Sequence, residues 1–258
     1  MSVHVEAVGS GPPLVLLHGW ALHSGLFAPL LPALAARHRV YAVDLPGHGY
    51  SDTLAPYTLD AVVAAVAAAL AGEARALVVL GWSFGGVVAQ RWSLLQPARI
   101  ARLVLVCTTP RFVTGDGWTH GIASSVLRQF ADELRVAYAQ TLLRFLTLQV
   151  QGSDDGRTTL TALRRQLFER GAPMPGVLDA ALSVLATADL RADAAHIAAP
   201  ALVVSGSRDA LTPPGASTWL AEKIPNARHA SIVGAAHAPF LSHRREFDAA
   251  LESFVDAR

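Results

Sequence analysis

The chain is organised around the stretch Leu77-Val78-Val79-Leu80-Gly81-Trp82-Ser83-Phe84-Gly85-Gly86-Val87-Val88-Ala89-Gln90. A short apolar run ends in Gly-Trp-Ser-Phe-Gly-Gly, and an apolar, helix-compatible segment follows. This reads as a buried strand, a very tight turn and a helix, with a serine at the apex. A serine in such a turn adopts a strained backbone conformation and points its hydroxyl out of the sheet. Strand and helix must then pass close to each other, and Gly81 and Gly85 leave room because neither has a Cβ. The helix N-terminus presents free N–H groups beside the hydroxyl, and that of Phe84 is placed to face an oxyanion. Gly-x-Ser-x-Gly also arises by chance in ordinary strand–loop–helix units. Here the flanking strand and helix, together with two partners downstream, make Ser83 a candidate nucleophile.

Outward from this turn, short apolar strands are expected at residues 3–8, 14–17, 39–45, 77–80, 102–108, 201–205 and 229–233. Helical spacing occurs at 27–37, 59–70, from 83 to about 96, 218–223 and 247–255. Strands that alternate with helices predict an α/β fold, a mostly parallel sheet with helices on both faces. Polar residues of such sheets act at the carboxyl ends of strands. His18, Asp44, Ser83, Asp209 and His237 each follow a predicted strand. The alternation stops between 111 and 189, where helices are expected at 124–150, 158–170 and 177–186, with a break across 171–175. The expected organisation is a core of residues 1–110 and 190–258 and a helical cap, 111–189, inserted over the site.

The bulk properties exclude several classes. Hydrophobic residues make up 52% of the 258 and charged residues 16%, which supports a large core and argues against disorder. A net charge of +1 supplies no global field for nucleic acid. The single cysteine, Cys107, allows no intrachain disulfide and reads as a buried core thiol. No stretch of about 20 residues has membrane-span composition, and 12–17 is too short for a signal segment. A cytoplasmic monomer is the expectation.

A serine hydroxyl is a poor nucleophile at neutral pH and needs a base, which in turn needs an orienting acid. His237 is the expected base, carried by the small-residue loop Gly234-Ala235-Ala236-His237-Ala238-Pro239-Phe240. Most of the nine other histidines are expected to face solvent, with His243 the nearest rival. Asp209 is the expected acid, in the loop after strand 201–205; Asp189 and Asp193 precede that strand. Asp44 reads as a structural carboxylate that accepts N–H groups in its loop. The chain order is therefore Ser, Asp, His. Two oxyanion donors are needed, and the backbone N–H groups of Phe84 and Trp20 are the candidates, leaving the Trp20 side chain free to line a pocket. The sequence carries no dinucleotide fingerprint, no Walker lysine and no His-Glu-x-x-His, so no cofactor and no metal are expected.

These residues together resemble the α/β-hydrolase superfamily: Leu-Leu-His18-Gly19, Asp44-Leu-Pro-Gly-His-Gly-Tyr-Ser51, Gly81-Trp-Ser-Phe-Gly85, Asp209 and His237. Within it the chain is most similar to the pimeloyl-[acyl-carrier protein] methyl ester esterases of biotin synthesis. His18-Gly19-Trp20, Gly81-Trp82-Ser83, Arg144-Phe145-Leu146-Thr147-Leu148-Gln149 and the run from Gly234 to His243 carry that likeness. The resemblance implies hydrolysis of a methyl ester with release of methanol. It implies substrate contacts at Trp20, Ser83, Phe84, Phe145, Leu146, Thr147, Leu148, Gln149 and His237. It also implies an acidic acyl carrier protein as partner, for which Arg144, Arg157, Arg164 and Arg165 form a basic docking face; the alternative for these arginines is an ordinary solvated surface. Phe84 stands where a smaller aliphatic residue is common, so a narrower pocket wall is expected. Two further readings stay open: a general short-chain carboxylesterase or C–C bond hydrolase on the same triad, and a non-catalytic ligand-binding module on the same fold.

Overall fold

A computed structural model describes residues 1–171 and 174–256. The strands are β1 (Val5–Val8), β2 (Pro13–Leu17), β3 (Arg39–Val43), β4 (Leu77–Trp82), β5 (Ile100–Val106), β6 (Ala201–Gly206) and β7 (Ala227–Ile232). They form one sheet in the order β1-β3-β2-β4-β5-β6-β7, with β1 antiparallel to β3 and every other pair parallel. Every residue of β2, β4 and β6 is buried. That is why these strands read as continuous apolar runs rather than alternating ones. The edge strand β7 is half exposed and correspondingly polar.

Helices α1 (Leu31–Ala35), α2 (Leu59–Ala69) and α3 (Phe84–Leu95) belong to the first half of the sheet, α8 (Pro214–Lys223), α9 (Pro239–Ser242) and α10 (Arg244–Val255) to the second. Helix α3 packs on β2, β4 and β5, and α8 on β6 and β7. The helix expected over 27–37 is shorter: a single 3-10 turn spans Ser24–Phe27, and α1 begins only at Leu31. Pro29 and Pro32 account for the late start: Pro29 lies in the turn between them and Pro32 sits in the first turn of α1, where its missing N–H costs nothing, and neither can donate within a continuous helix from 27.

Between β5 and β6 lie α4 (Ser124–Val136), α5 (Tyr138–Val150), α6 (Gly156–Leu167) and α7 (Pro175–Thr187). The single helix expected over 124–150 is two, broken at Ala137, whose φ of −132° and ψ of 56° are not helical. The break expected at 171–175 includes residues 172 and 173, which lie outside the described residues. Helix α6 leans on α9 and on the 3-10 turn, so the insertion rests on the core. Its two ends meet: Arg111 bridges Asp189 and donates to its Oδ2 at 3.0 Å, and Leu190 N–H donates to Pro110 O at 2.9 Å. Among the described residues no helix is long and apolar enough to cross a membrane.

The strand order places the site. From β2 the chain moves one way to β3, then back across β2 to β4. The carboxyl ends of β2 and β4 therefore flank the switch point of the sheet, where α/β folds open a crevice. The loop that follows β2 and the turn that follows β4 are neighbours there, with Leu17 opposite Gly81.

Candidate active site

Ser83 sits at the switch point with φ 55° and ψ −118°, a conformation that non-glycine residues avoid. The turn is over-determined by its surroundings. Ser83 N–H donates to Val106 O at 3.0 Å, and Thr108 Oγ1 donates to Ser83 O at 2.8 Å. A Cβ on Gly81 would overlap Gly85 O, and one on Gly85 would meet Leu17 O and His18 O. The loops after the adjacent strands are strained as well: Ala21 has φ 65° and Cys107 φ 44°. Backbone strain thus gathers at the carboxyl ends of β2, β4 and β5, as it does at functional sites.

His237 and Asp209 come together from the loops after β7 and β6. His237 Nδ1 lies 2.8 Å from Asp209 Oδ2, and both residues are buried. Asp209 Oδ1 accepts the N–H groups of Leu211 (2.9 Å) and Thr212 (3.0 Å). Burial opposes the Asp209 charge, but His237 and the donors of Thr212 outweigh it and hold the carboxyl below its ordinary range. The Trp82 indole N–H donates to His237 O at 2.7 Å, and His237 N–H donates to Gln149 O at 3.0 Å, so the loop is fixed from both sides. Cys107 Sγ contacts Ala236 O at 3.7 Å behind the pair; burial, then the Asp209 charge, pushes its thiol up. Donor atoms of Cys107, Asp209 and His237 lie within 4.8 Å of one another. The thiol is held protonated and the other two are spent on each other, so this set does not suit a metal ion.

Ser83 and His237 line one cavity of about 240 Å³. That exceeds the roughly 150 Å³ that holds a benzene ring. Its other walls are apolar and come from both layers: Trp20, Ala210 and Leu211 from the core, and Phe112, Ile122, Val126, Leu127, Phe130, Phe145, Leu148, Leu182 and Leu185 from the insertion. Trp20 meets Phe145 edge-on at 5.0 Å and Phe130 at 5.6 Å, and its indole N–H is taken by Leu178 O at 3.0 Å. Among the described residues no acidic or basic side chain except His237 is on the wall, so the cavity suits an uncharged acyl group.

Of the residues expected at the substrate, Trp20, Ser83, Phe145, Leu148 and His237 reach the cavity. Phe84 does not: its ring is fully buried, so the expected narrowing of the wall is absent and only its N–H faces the Ser83 turn. On α5 the helical period selects Phe145 and Leu148, three residues apart. Leu146 is buried, Thr147 is exposed, and Gln149 is buried with neither side-chain amide atom partnered among the described residues. Arg144 is paired to Glu133, whereas Arg157, Arg164 and Arg165 stand exposed on α6, Arg157 and Arg165 along one groove.

The expectation that most histidines face solvent fails for His18, His23, His38 and His48, all buried. His18 Nδ1 hydrogen-bonds Gly19 O at 2.8 Å while its Nε2 accepts Leu45 N–H at 2.9 Å, which ties the Trp20 loop to the Asp44 loop. Burial, and next His48, pushes His18 down to about 3; burial pushes His48 down to about 4. Asp44 is the expected structural carboxylate, accepting Ser24 N–H at 2.8 Å and Tyr50 N–H at 2.9 Å. Burial raises it, but His18 and these donors prevail and hold it at about 2. Its third partner was not evident in the sequence. Arg170, just past α6, donates to Asp44 Oδ2 at 2.9 Å and to Ser24 Oγ at 3.0 Å while stacking on Tyr50. Thr212 and Trp82 were missed too; the Asp-x-x-Thr spacing and the place beside Ser83 are the only signals for them.

The family model of the alpha/beta hydrolase fold matches residues 12–244. A pimeloyl-[acyl-carrier protein] methyl ester esterase of Chromobacterium violaceum is 45% identical over 258 residues, covering 100% of both chains. Another, of Nitrosomonas europaea, is 43% identical over 95% of this chain and 96% of its own. Among solved structures, an esterase from Exiguobacterium antarcticum superposes with a TM-score of 0.91 over 99% of this chain and 96% of that one, at 22% identity, a likeness of fold alone. An esterase from Rhodococcus sp. ECU1013 gives 0.82 at 28% identity, covering 99% and 94%. With its sheet order, its strained serine turn and these matches, the chain belongs to the α/β-hydrolase fold family.

Proposed function

We propose that the chain is a serine carboxylesterase that hydrolyses the methyl ester of a pimeloyl group carried on an acyl carrier protein. The observation that carries the reading is the buried Asp209–His237 pair opening, with the strained Ser83, onto one uncharged cavity. The names of the full-length relatives support the substrate.

In this reading Ser83 Oγ attacks the ester carbonyl carbon and His237 Nε2 takes its proton. Asp209 holds the imidazole in the tautomer with hydrogen on Nδ1 and stabilises the imidazolium. The N–H groups of Phe84 and Trp20 receive the oxyanion. Collapse of the tetrahedral intermediate expels methanol, which leaves with the proton from His237. Water, activated by His237, then cleaves the acyl–Ser83 bond and frees the carboxylate. The methyl ester enters as a neutral group suited to the apolar wall, whereas the product carboxylate is charged and favours departure into water.

The insertion at 111–189 serves as the cap over the acyl chain, since most of the cavity wall comes from it. The acidic carrier docks on the cap through Arg157, Arg164 and Arg165, with Arg144 beside them; the first three have exposed side chains and no acidic partner among the described residues. The test is kcat/KM for the carrier-bound methyl ester beside a short free methyl ester, in the wild type and in a variant with these arginines changed to alanine. A preference for the carrier-bound ester that falls at least tenfold with the arginines supports the reading. Equal use of both esters, indifferent to the arginines, reduces the protein to a general carboxylesterase.

A further inference from the structure

The serine-esterase reading uses three side chains, but the structure binds a fourth into the same unit. Thr212 lies in the loop between β6 and α8 and is 2% exposed. Its hydroxyl is 2.6 Å from Asp209 Oδ2, the same oxygen that receives His237 Nδ1. Its backbone N–H donates to the other oxygen, Oδ1, at 3.0 Å. One residue therefore grips both ends of the carboxylate. Thr212 Oγ1 also approaches His237 Nδ1, at 3.4 Å. The hydroxyl has a single proton, and the shorter contact, to a charged acceptor, is where it goes. Its lone pairs then face the imidazole N–H.

We propose that Thr212 is a positioning residue for the reaction: its hydroxyl holds Asp209 Oδ2 in the direction of His237 Nδ1 and so keeps the imidazole aligned with Ser83. The inference rests on the serine-esterase reading above. Among the described residues no donor of equal strength stands in for the hydroxyl. Leu211 N–H serves Oδ1, Arg208 is turned away to Gly152 O and Asp154, and the Cys107 thiol, which also contacts Ala236 O, is only a weak donor to Asp209. Without the hydroxyl, Oδ2 keeps one lone pair unsatisfied in a dry setting, and the carboxylate gains freedom to rotate about its remaining donors. A misplaced catalytic group lowers turnover without touching the pocket that binds the acyl chain.

The experiment compares Thr212→Val, which keeps the shape and removes the hydroxyl, with Thr212→Ser, which keeps the hydroxyl and removes the methyl. Each is assayed on an uncharged methyl ester, with folded sites counted by exhaustive fluorophosphonate labelling. In parallel, the proton on His237 Nδ1 is followed by its far-downfield NMR resonance. The expected result is a fall in kcat of about 10- to 100-fold for Thr212→Val at unchanged KM, a shifted or broadened resonance, and recovery to within about threefold of wild type in Thr212→Ser. Unchanged kcat in Thr212→Val, an equal loss in both variants, or a loss confined to KM overturns the proposal. Ser83→Ala in the same assay separates the two claims: if it abolishes turnover while Thr212→Val does not alter it, the serine mechanism stands and the role of Thr212 falls.

Discussion

Acid should unfold this protein through two histidines that take no part in the chemistry. His18 and His48 are buried and stay neutral down to about 3 and about 4 respectively. His18 has both ring nitrogens engaged, and protonating Nε2 would break its bond from Leu45 N–H. In the unfolded chain each imidazole takes a proton near pH 6.5. A depressed histidine therefore contributes nothing to the pH dependence at pH 8. It destabilises progressively as pH falls below 6.5, because only the unfolded state gains the proton. At pH 5 the penalty is RT ln(1 + 10^1.5), about 2 kcal/mol for each histidine and about 4 kcal/mol for the two. Asp44, held at about 2, acts in a separate window: its contribution is intact above the ordinary carboxylate range and is lost only on the way down to pH 2. The assay is urea unfolding followed by tryptophan fluorescence at pH 8 and pH 5. With an m-value of about 3 kcal/mol per molar, the midpoint falls by a little over 1 M. His48→Asn, which keeps a donor for Pro46 O, should remove about half of that drop. A midpoint that moves by less than about 0.3 M between the two pH values refutes the reasoning.

Two other perturbations read the frame of the site. Arg170→Met leaves Asp44 buried without its cation and unpins the insertion from the core; it should cost about 3 kcal/mol in urea unfolding, and a change under about 0.5 kcal/mol would show that the pair holds nothing. Gly85→Ala drives a Cβ to 2.6 Å from His18 O and should cost about 3 kcal/mol and most of the activity. Gly72→Ala, where a Cβ meets nothing within 4 Å, is the control and should change stability by less than about 0.5 kcal/mol.

The parts legible in the sequence were those written in local chemistry. A central parallel strand is largely apolar, so β2, β4, β5 and β6 stood out, and the glycines around Ser83 announced the turn. Asp209 and His237 followed from strand ends and chain order. What stayed hidden depends on distant contacts. The break at Ala137 has no glycine or proline, and the buried positions Leu127, Leu134 and Thr141 keep a seven-residue period straight across it. The buried histidines look polar in sequence; only their hydrogen bonds to backbone groups, such as His23 Nε2 to Gln166 O at 2.7 Å, make burial tolerable. Arg170 is 126 positions from Asp44, a pairing that no local pattern encodes. On α5 the resemblance implied contacts along the whole run from Phe145 to Gln149, whereas the helix presents only Phe145 and Leu148 of that run to the cavity.

The most direct test of the account is methanol release from a methyl pimeloyl-carrier protein by the wild type and by Ser83→Ala, with protein folding checked by circular dichroism. The account predicts rapid release by the wild type and a fall in kcat of about 10⁴-fold or more in the variant. A cleanly prepared, folded Ser83→Ala protein that releases methanol at close to the wild-type rate would contradict it.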